Sequence, residues 1–210
     1  MATELKIVVF GASGRTGRNI VEQALSRGHE VTAFIHKTRD PERPEVLQIV
    51  EGDVLNVADV EKAVAGKEAV LSALGRSRTQ KPVTFPGTKN IADAMKRAGV
   101  QRLVVESAFG AGDSAKEISS LDRLFVRGIL LRTAFKDKDM MEDHVEKTDL
   151  KWTIVRPSRL TDGTKRGNYR AGERIPLSIA SGISRADVAD FMLKQLETED
   201  FVRKKPSIGP

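Results

Sequence analysis

The residues whose types and spacing point to chemistry begin with Gly11-Ala12-Ser13-Gly14-Arg15-Thr16-Gly17, directly after the apolar run Ile7-Val8-Val9-Phe10. Each glycine has a mechanical use. Gly11 permits a tight turn out of a strand, Gly14 lets backbone approach a pyrophosphate, and Gly17 lets helix and strand pack closely. The helix that follows offers free N–H groups and a partial positive charge to phosphates. Ser13 and Thr16 add hydroxyls. A glycine-rich loop without a ligand has the same letters. The position in the first strand-to-helix turn of an alternating chain favours a dinucleotide site.

An acid about 20 residues further on would hold a ribose 2′-hydroxyl and favour NAD. Here that place reads His36-Lys37-Thr38-Arg39, with no acid before Asp40. With Arg15 on the turn, His36, Lys37 and Arg39 suit a 2′-phosphate, so NADP(H) is expected over NAD(H). A solvated basic turn is the alternative. Asp53, followed by Val54, is placed to accept from an adenine amino group or to cap a turn. Ala73-Leu74-Gly75 supplies small residues at the end of a later strand, where a cofactor lies against a sheet edge.

The elements that must position these residues alternate. Apolar runs predict strands at 6–10, 30–35, 46–51, 69–74, from 102 to 105, and at 151–155. Helical spacing predicts helices at 15–27, 59–65, 84–98 and 136–147, with a last one capped by Ser184 and running to about 196. Residues 113–132 read as a loop followed by a helix, and 160–173 as loops with a short strand. Such βα repetition means a doubly wound parallel sheet of the Rossmann type. One domain over 1–210 is expected, with 157–183 and the C-terminus covering the substrate side.

Composition narrows the function classes. The 210 residues are 40% hydrophobic and 30% charged, an ordinary globular profile. No cysteine is present, which excludes disulfides, thiolate metal sites and a thiol nucleophile. The net charge of +6 is spread along the chain, and one Trp and one Tyr make no stacking platform. Nucleic acid is therefore not an expected partner. His29 and His144 lack metal-ligand spacing and read as surface residues, so no metal is expected. The start of the sequence lacks a signal h-region, and no stretch approaches a membrane span, so a cytoplasmic protein is expected. Gly-x-Ser-x-Gly is absent, which argues against acyl transfer.

Together these segments resemble the atypical short-chain dehydrogenase/reductase superfamily, with likeness to NmrA-like and biliverdin reductase B-like (flavin reductase) members. Gly52-Asp53-Val54, Ser107-Ala108-Phe109, Trp152-Thr153-Ile154-Val155-Arg156-Pro157 and Ile183-Ser184-Arg185-Ala186-Asp187-Val188-Ala189 carry the likeness alongside the glycine turn. The resemblance implies that Ser107 faces the nicotinamide and that Pro157 lies beside the cofactor. It also exposes two departures. Biliverdin reductase B-like proteins have a histidine two residues after the proline, where this chain has Arg159. Short-chain dehydrogenases use Tyr-x-x-x-Lys. Here Lys138, with Glu142 after it, matches the end of that motif, but the tyrosine position is Ala134. The one tyrosine, Tyr169, reads as packing rather than as an acid.

The expected activity is NAD(P)H-dependent reduction of a flat, conjugated small molecule such as flavin, biliverdin or quinone. Ser107, Lys138 and Arg159 are the candidate catalytic residues. Ser107 is placed to bond a carboxamide or substrate oxygen, Lys138 to stabilise an enolate or hold a ribose, and Arg159 to hold an anionic substrate group. A non-catalytic NADP(H)-binding redox sensor is the alternative, and a nucleotide-sugar epimerase or dehydratase is a second. A monomer or homodimer is expected.

Overall fold

The computed structural model describes residues 4–36, 47–75, 82–120, 123–124, 129, 131–178 and 180–210. Strands β1 (Lys6–Phe10), β2 (Glu30–Ile35), β3 (Leu47–Glu51), β4 (Ala69–Ser72), β5 (Arg102–Glu106) and β6 (Lys151–Pro157) are short and apolar. They pair in parallel in the order β3-β2-β1-β4-β5-β6. Because strand side chains alternate, a fully buried run must meet a core on each face. Ile7 and Val9 point into one core, Val8 and Phe10 into the other.

Helices α1 (Arg15–Ser26) and α5 (Arg185–Lys194) cover the first face. Helices α2 (Val57–Val64), α3 (Thr84–Ala98) and α4 (Arg132–Glu146) cover the second. The doubly wound sheet expected from the sequence is therefore present. Helix α1 buries Thr16, Gly17, Ile20, Val21 and Ala24, a stripe at helical spacing. Ser184 caps α5 by accepting from Asp187 N–H, as its sequence signature predicts. Among the described residues, no helix is long and apolar enough to cross a membrane.

Several features lie outside the sequence reading. Helix α4 starts at Arg132, a turn before the expected Lys136. Its Asp137 carboxylate accepts the Thr84 and Phe85 amides, which caps α3 from another element. After β6 come β7 (Arg159–Thr161), β8 (Arg170–Gly172), β9 (Gly182–Ser184) and β10 (Ser207–Gly209). Strand β10 extends the sheet parallel to β6, and β8 adds an antiparallel edge to it. Strands β7 and β9 form a separate parallel pair. His29 is a correction: it is buried, its Nδ1 accepts from Leu5 N–H at 3.3 Å, and burial lowers its pKa. His144 is half-buried, edge-on to Phe85.

The strand order reverses between β1 and β4, and the glycine turn sits at that switch point. Gly11 has φ +76°, and a Cβ there would lie 2.6 Å from the Ala73 carbonyl oxygen. At Gly17 a Cβ would collide with the Gly11 carbonyl oxygen; at Gly14 the same oxygen is 3.0 Å away. The three glycines therefore differ in what they tolerate. Gly17→Ala is expected to cost about 3 kcal/mol in urea unfolding, and Gly14→Ala about 1 kcal/mol or less.

Candidate cofactor and substrate site

The glycine turn presents uncapped backbone at a helix N-terminus. Gly14 is the N-cap of the 12-residue helix α1, and no side chain caps it. No acidic residue lies in the first turn. An uncapped N-terminus at the sheet's carboxyl edge fits a pyrophosphate. Ser13 and Arg15 are exposed beside it, and Arg15 pairs with Asp162 at 2.9 Å. Ala12 is buried, and Thr16 is turned inward toward Glu106, 3.4 Å from its carboxylate.

The other expected cofactor residues divide into groups. Ala73 and Leu74 follow β4 and back Gly11 directly, with Gly75 exposed beyond them. Val54 and Leu74 pack over Gly87 of α3, where a Cβ would meet both. The Asp53 carboxylate accepts from Leu55 N–H at 2.9 Å, closing a local turn. His36 is exposed at the end of β2. Lys37 and Arg39 lie outside the described residues. Pro157 is buried at the end of β6, and its carbonyl accepts from Phe109 N–H at 2.8 Å.

Ser107 and Lys138 come together. The Lys138 ammonium donates to the carbonyl oxygens of Ser107 at 3.0 Å and of Glu106 at 3.3 Å, at the carboxyl end of β5. Burial lowers the lysine pKa, opposed by the charges of Glu106, Glu142 and Asp137. Ser107 is buried, and its hydroxyl donates to Glu142 Oε1 at 2.5 Å. Arg159 stands apart on β7, exposed, donating to the Ala180 carbonyl at 3.1 Å. Tyr169 donates to Asp190 at 2.7 Å and packs edge-on against Phe191. Burial and that bond push its pKa up to about 12, so it does not ionise at neutral pH.

Beneath Ser107 lies a charge network whose bonds the sequence did not predict. The Arg156 side chain is 2% exposed and that of Glu142 1%. The guanidinium donates to Glu142 Oε1 at 3.1 Å and Oε2 at 2.5 Å, and to Asp113 at 2.6 Å. Burial alone would lower the Arg156 pKa, but bonds to Glu142 and Asp113 raise it. Burial raises the Asp113 pKa too, and the bonds from Arg156 and Lys205 overcome that and hold it well below the usual carboxylate range. Gly112, at φ +53°, packs so tightly here that a Cβ would meet Glu142 and Arg156. Glu106 is also buried at the edge of this site. The available signal was a charge ending each of two adjacent apolar strands, Val104-Val105-Glu106 and Ile154-Val155-Arg156.

Residues 11–199 match the family described as NAD(P)H-binding. A relative from Arabidopsis thaliana, the uncharacterized protein At2g34460, chloroplastic, is 34% identical over 208 residues, covering 93% of this chain and 73% of the relative. Two solved structures share the fold. One is a short-chain dehydrogenase/reductase from Veillonella parvula DSM 2008 in complex with NADP (TM-score 0.84, 20% identity, 99% of this chain and 95% of that one). The other is ChuY, an anaerobillin reductase from Escherichia coli O157:H7 (TM-score 0.80, 21% identity, 97% and 96%). The chain belongs to the NAD(P)H-binding family, and the resemblance to atypical short-chain dehydrogenase/reductases stands. The cofactor class that this family binds is a nicotinamide dinucleotide.

The buried network has a measurable consequence. Removing one partner of a buried ion pair strands the other charge. Arg156→Leu is expected to cost about 3–5 kcal/mol in urea unfolding. Arg156→Leu combined with Glu142→Met is expected to recover most of that loss.

Proposed function

We propose that this protein is an NADPH-dependent reductase of a flat, conjugated small molecule such as flavin, biliverdin or quinone. The observation that carries the reading is Lys138 on the Ser107 carbonyl, beyond an uncapped glycine turn, with Ala134 where a tyrosine would stand. NADPH would supply a hydride when bound. Gly11–Gly17 would hold its pyrophosphate, with Ala73, Leu74 and Pro157 along its path. Asp53 and Val54 would meet the adenine side, and His36, Lys37, Arg39 and Arg15 the 2′-phosphate. Two structural relatives support the direction by their own descriptions: one holds NADP and the other reduces an anaerobillin.

Lys138 orients the end of β5 and offers its remaining ammonium proton to a ribose hydroxyl. Ser107 fixes the loop below the acceptor through Glu142. A conjugated acceptor spreads the negative charge that hydride arrival leaves, so its proton can follow from solvent. That chemistry needs no phenol, which accounts for Ala134. Residues 157–183 would cover the acceptor, with Arg159 toward an anionic substituent. One observation favours the second reading, a non-catalytic NADP(H) sensor: the Ser107 hydroxyl is already engaged by Glu142.

Titration with NADPH and NADH, followed by absorbance loss with each acceptor, separates the readings. Tighter NADPH than NADH binding and turnover with at least one acceptor are expected. Lys138→Met should lower kcat/KM by about 10- to 100-fold, while Tyr169→Phe leaves it within about twofold. Tight binding without oxidation by any acceptor would overturn the reductase in favour of the sensor.

A further inference from the structure

An anion site ought not to have a buried carboxylate under it, yet this one does. Val104 and Glu106 share the face of β5 that α1 and α5 cover. Glu106 is 6% exposed, and its one side-chain hydrogen bond among the described residues is to the Thr16 hydroxyl, at 3.4 Å. Thr16 is the second residue of α1, in the turn whose free amides form the phosphate cradle. The Glu106 carboxylate therefore lies beside the first turn of the helix that would receive the pyrophosphate.

The charges that face Glu106 come from two elements. From α4, Lys138 spends its ammonium on the Glu106 and Ser107 carbonyls, with Glu142 and Asp137 also drawing on it. From the start of α5, Arg185 contributes at a distance, its guanidinium held by Asp162 at 2.6 Å. From α1 the carboxylate meets only the Thr16 hydroxyl. No ion pair reaches Glu106 among the described residues.

We propose that Glu106 makes the dinucleotide site proton-coupled, the pyrophosphate binding to the form in which Glu106 carries a proton. An ionised Glu106 accepts the Thr16 O–H. A protonated Glu106 donates its own O–H to Thr16 Oγ1, which frees the Thr16 hydrogen for a phosphate oxygen. The proton comes from solvent, and no other bond changes. Burial already raises the pKa of this carboxyl, and Lys138, Thr16 and Arg185 offset only part of that. A nearby pyrophosphate raises it further, since like charges disfavour ionisation.

The sign follows by linkage. Below the free-protein pKa, Glu106 is protonated with or without ligand, and affinity is level. As pH rises through that pKa, binding must bring a proton in, and affinity falls by up to about tenfold per pH unit. Above the bound-state pKa both forms are ionised, and affinity is again independent of pH, at its lower value.

ADP-ribose is the probe, because it carries the pyrophosphate but neither the 2′-phosphate nor the nicotinamide. Its binding to the intact chain is measured calorimetrically from about pH 5.5 to 8.5, in two buffers of different ionisation heat. Fractional proton uptake is expected, with affinity weakening about threefold or more toward pH 8.5. Glu106→Gln should give a flat profile, no uptake and tighter binding than wild type at high pH. As a control for the exposed histidine that follows β2, uptake is repeated in His36→Gln. Uptake that survives there supports Glu106 even if Glu106→Gln does not fold; uptake that vanishes there overturns the proposal. The inference rests on the glycine turn holding the pyrophosphate. No ADP-ribose binding at any pH would overturn both, whereas pH-independent binding without uptake overturns the proposal alone.

Discussion

The close approach of α1 to the end of β1 governs the rest of the site. The Gly17 position touches the Gly11 carbonyl, and Gly11 in turn touches the Ala73 carbonyl after β4. No side chain fits in either gap. That contact sets the height of the α1 N-terminus above the sheet. It also brings Thr16 onto Glu106 at the end of β5, two strands away from β1. One steric constraint thus fixes the glycine turn, its backing strand and a buried acid together.

The two faces of the sheet handle charge differently at this edge. Alternation along β5 and β6 sends Glu106 to the α1–α5 face and Arg156 to the α4 face. Arg156 finds Glu142, with which it is almost fully buried, and also the exposed Asp113, both through short bonds. A buried ion pair of this kind is weak evidence of net stability, because desolvation offsets its attraction. Its geometric effect is plainer. Glu142 accepts from both Arg156 and Ser107, so the guanidinium of one strand end orients the hydroxyl of the next. Among the described residues Glu106 on the other face has no such ion-pair partner, so the same sheet edge holds one paired acid and one that is not.

Much of this was legible in the sequence where local pattern decides the structure. The run Ile7-Val8-Val9-Phe10, the spacing of Ile20, Val21 and Ala24, and the Ser184 cap act within a few residues, and those elements formed as expected. The glycine turn was legible for the same reason. The unread parts depend on partners distant in sequence. Strand β10 has three residues, Ser207-Ile208-Gly209, and exists because β6 and β8 flank it. The sequence pattern left 133–135 outside any element; in the fold they belong to α4, which Asp137 anchors to the start of α3. His29 is polar, but its ring satisfies the Leu5 amide inside the fold. The roles of Glu106 and Arg156 were not read from the sequence, because their partners lie on helices that no strand pattern specifies.

The distribution of polar contacts also separates what must hold from what can exchange. Arg156 and Glu142 are sealed under the β5–β6 edge. Asp187, capped by Ser184, binds the Arg166 and Gly167 amides and so ties the segment after β7 to the first turn of α5. The pair above the glycine turn is of another kind. Asp162 is shared between Arg15 and Arg185, and both Arg15 and Asp162 are well exposed. Exposed pairs contribute little to stability and are screened by salt. Arg15 beside α1 is therefore held by a weak, replaceable partner, while the groups that set the turn's geometry stay fixed by burial. The rigid contacts lie where the backbone must not move, and the exchangeable ones lie at the mouth.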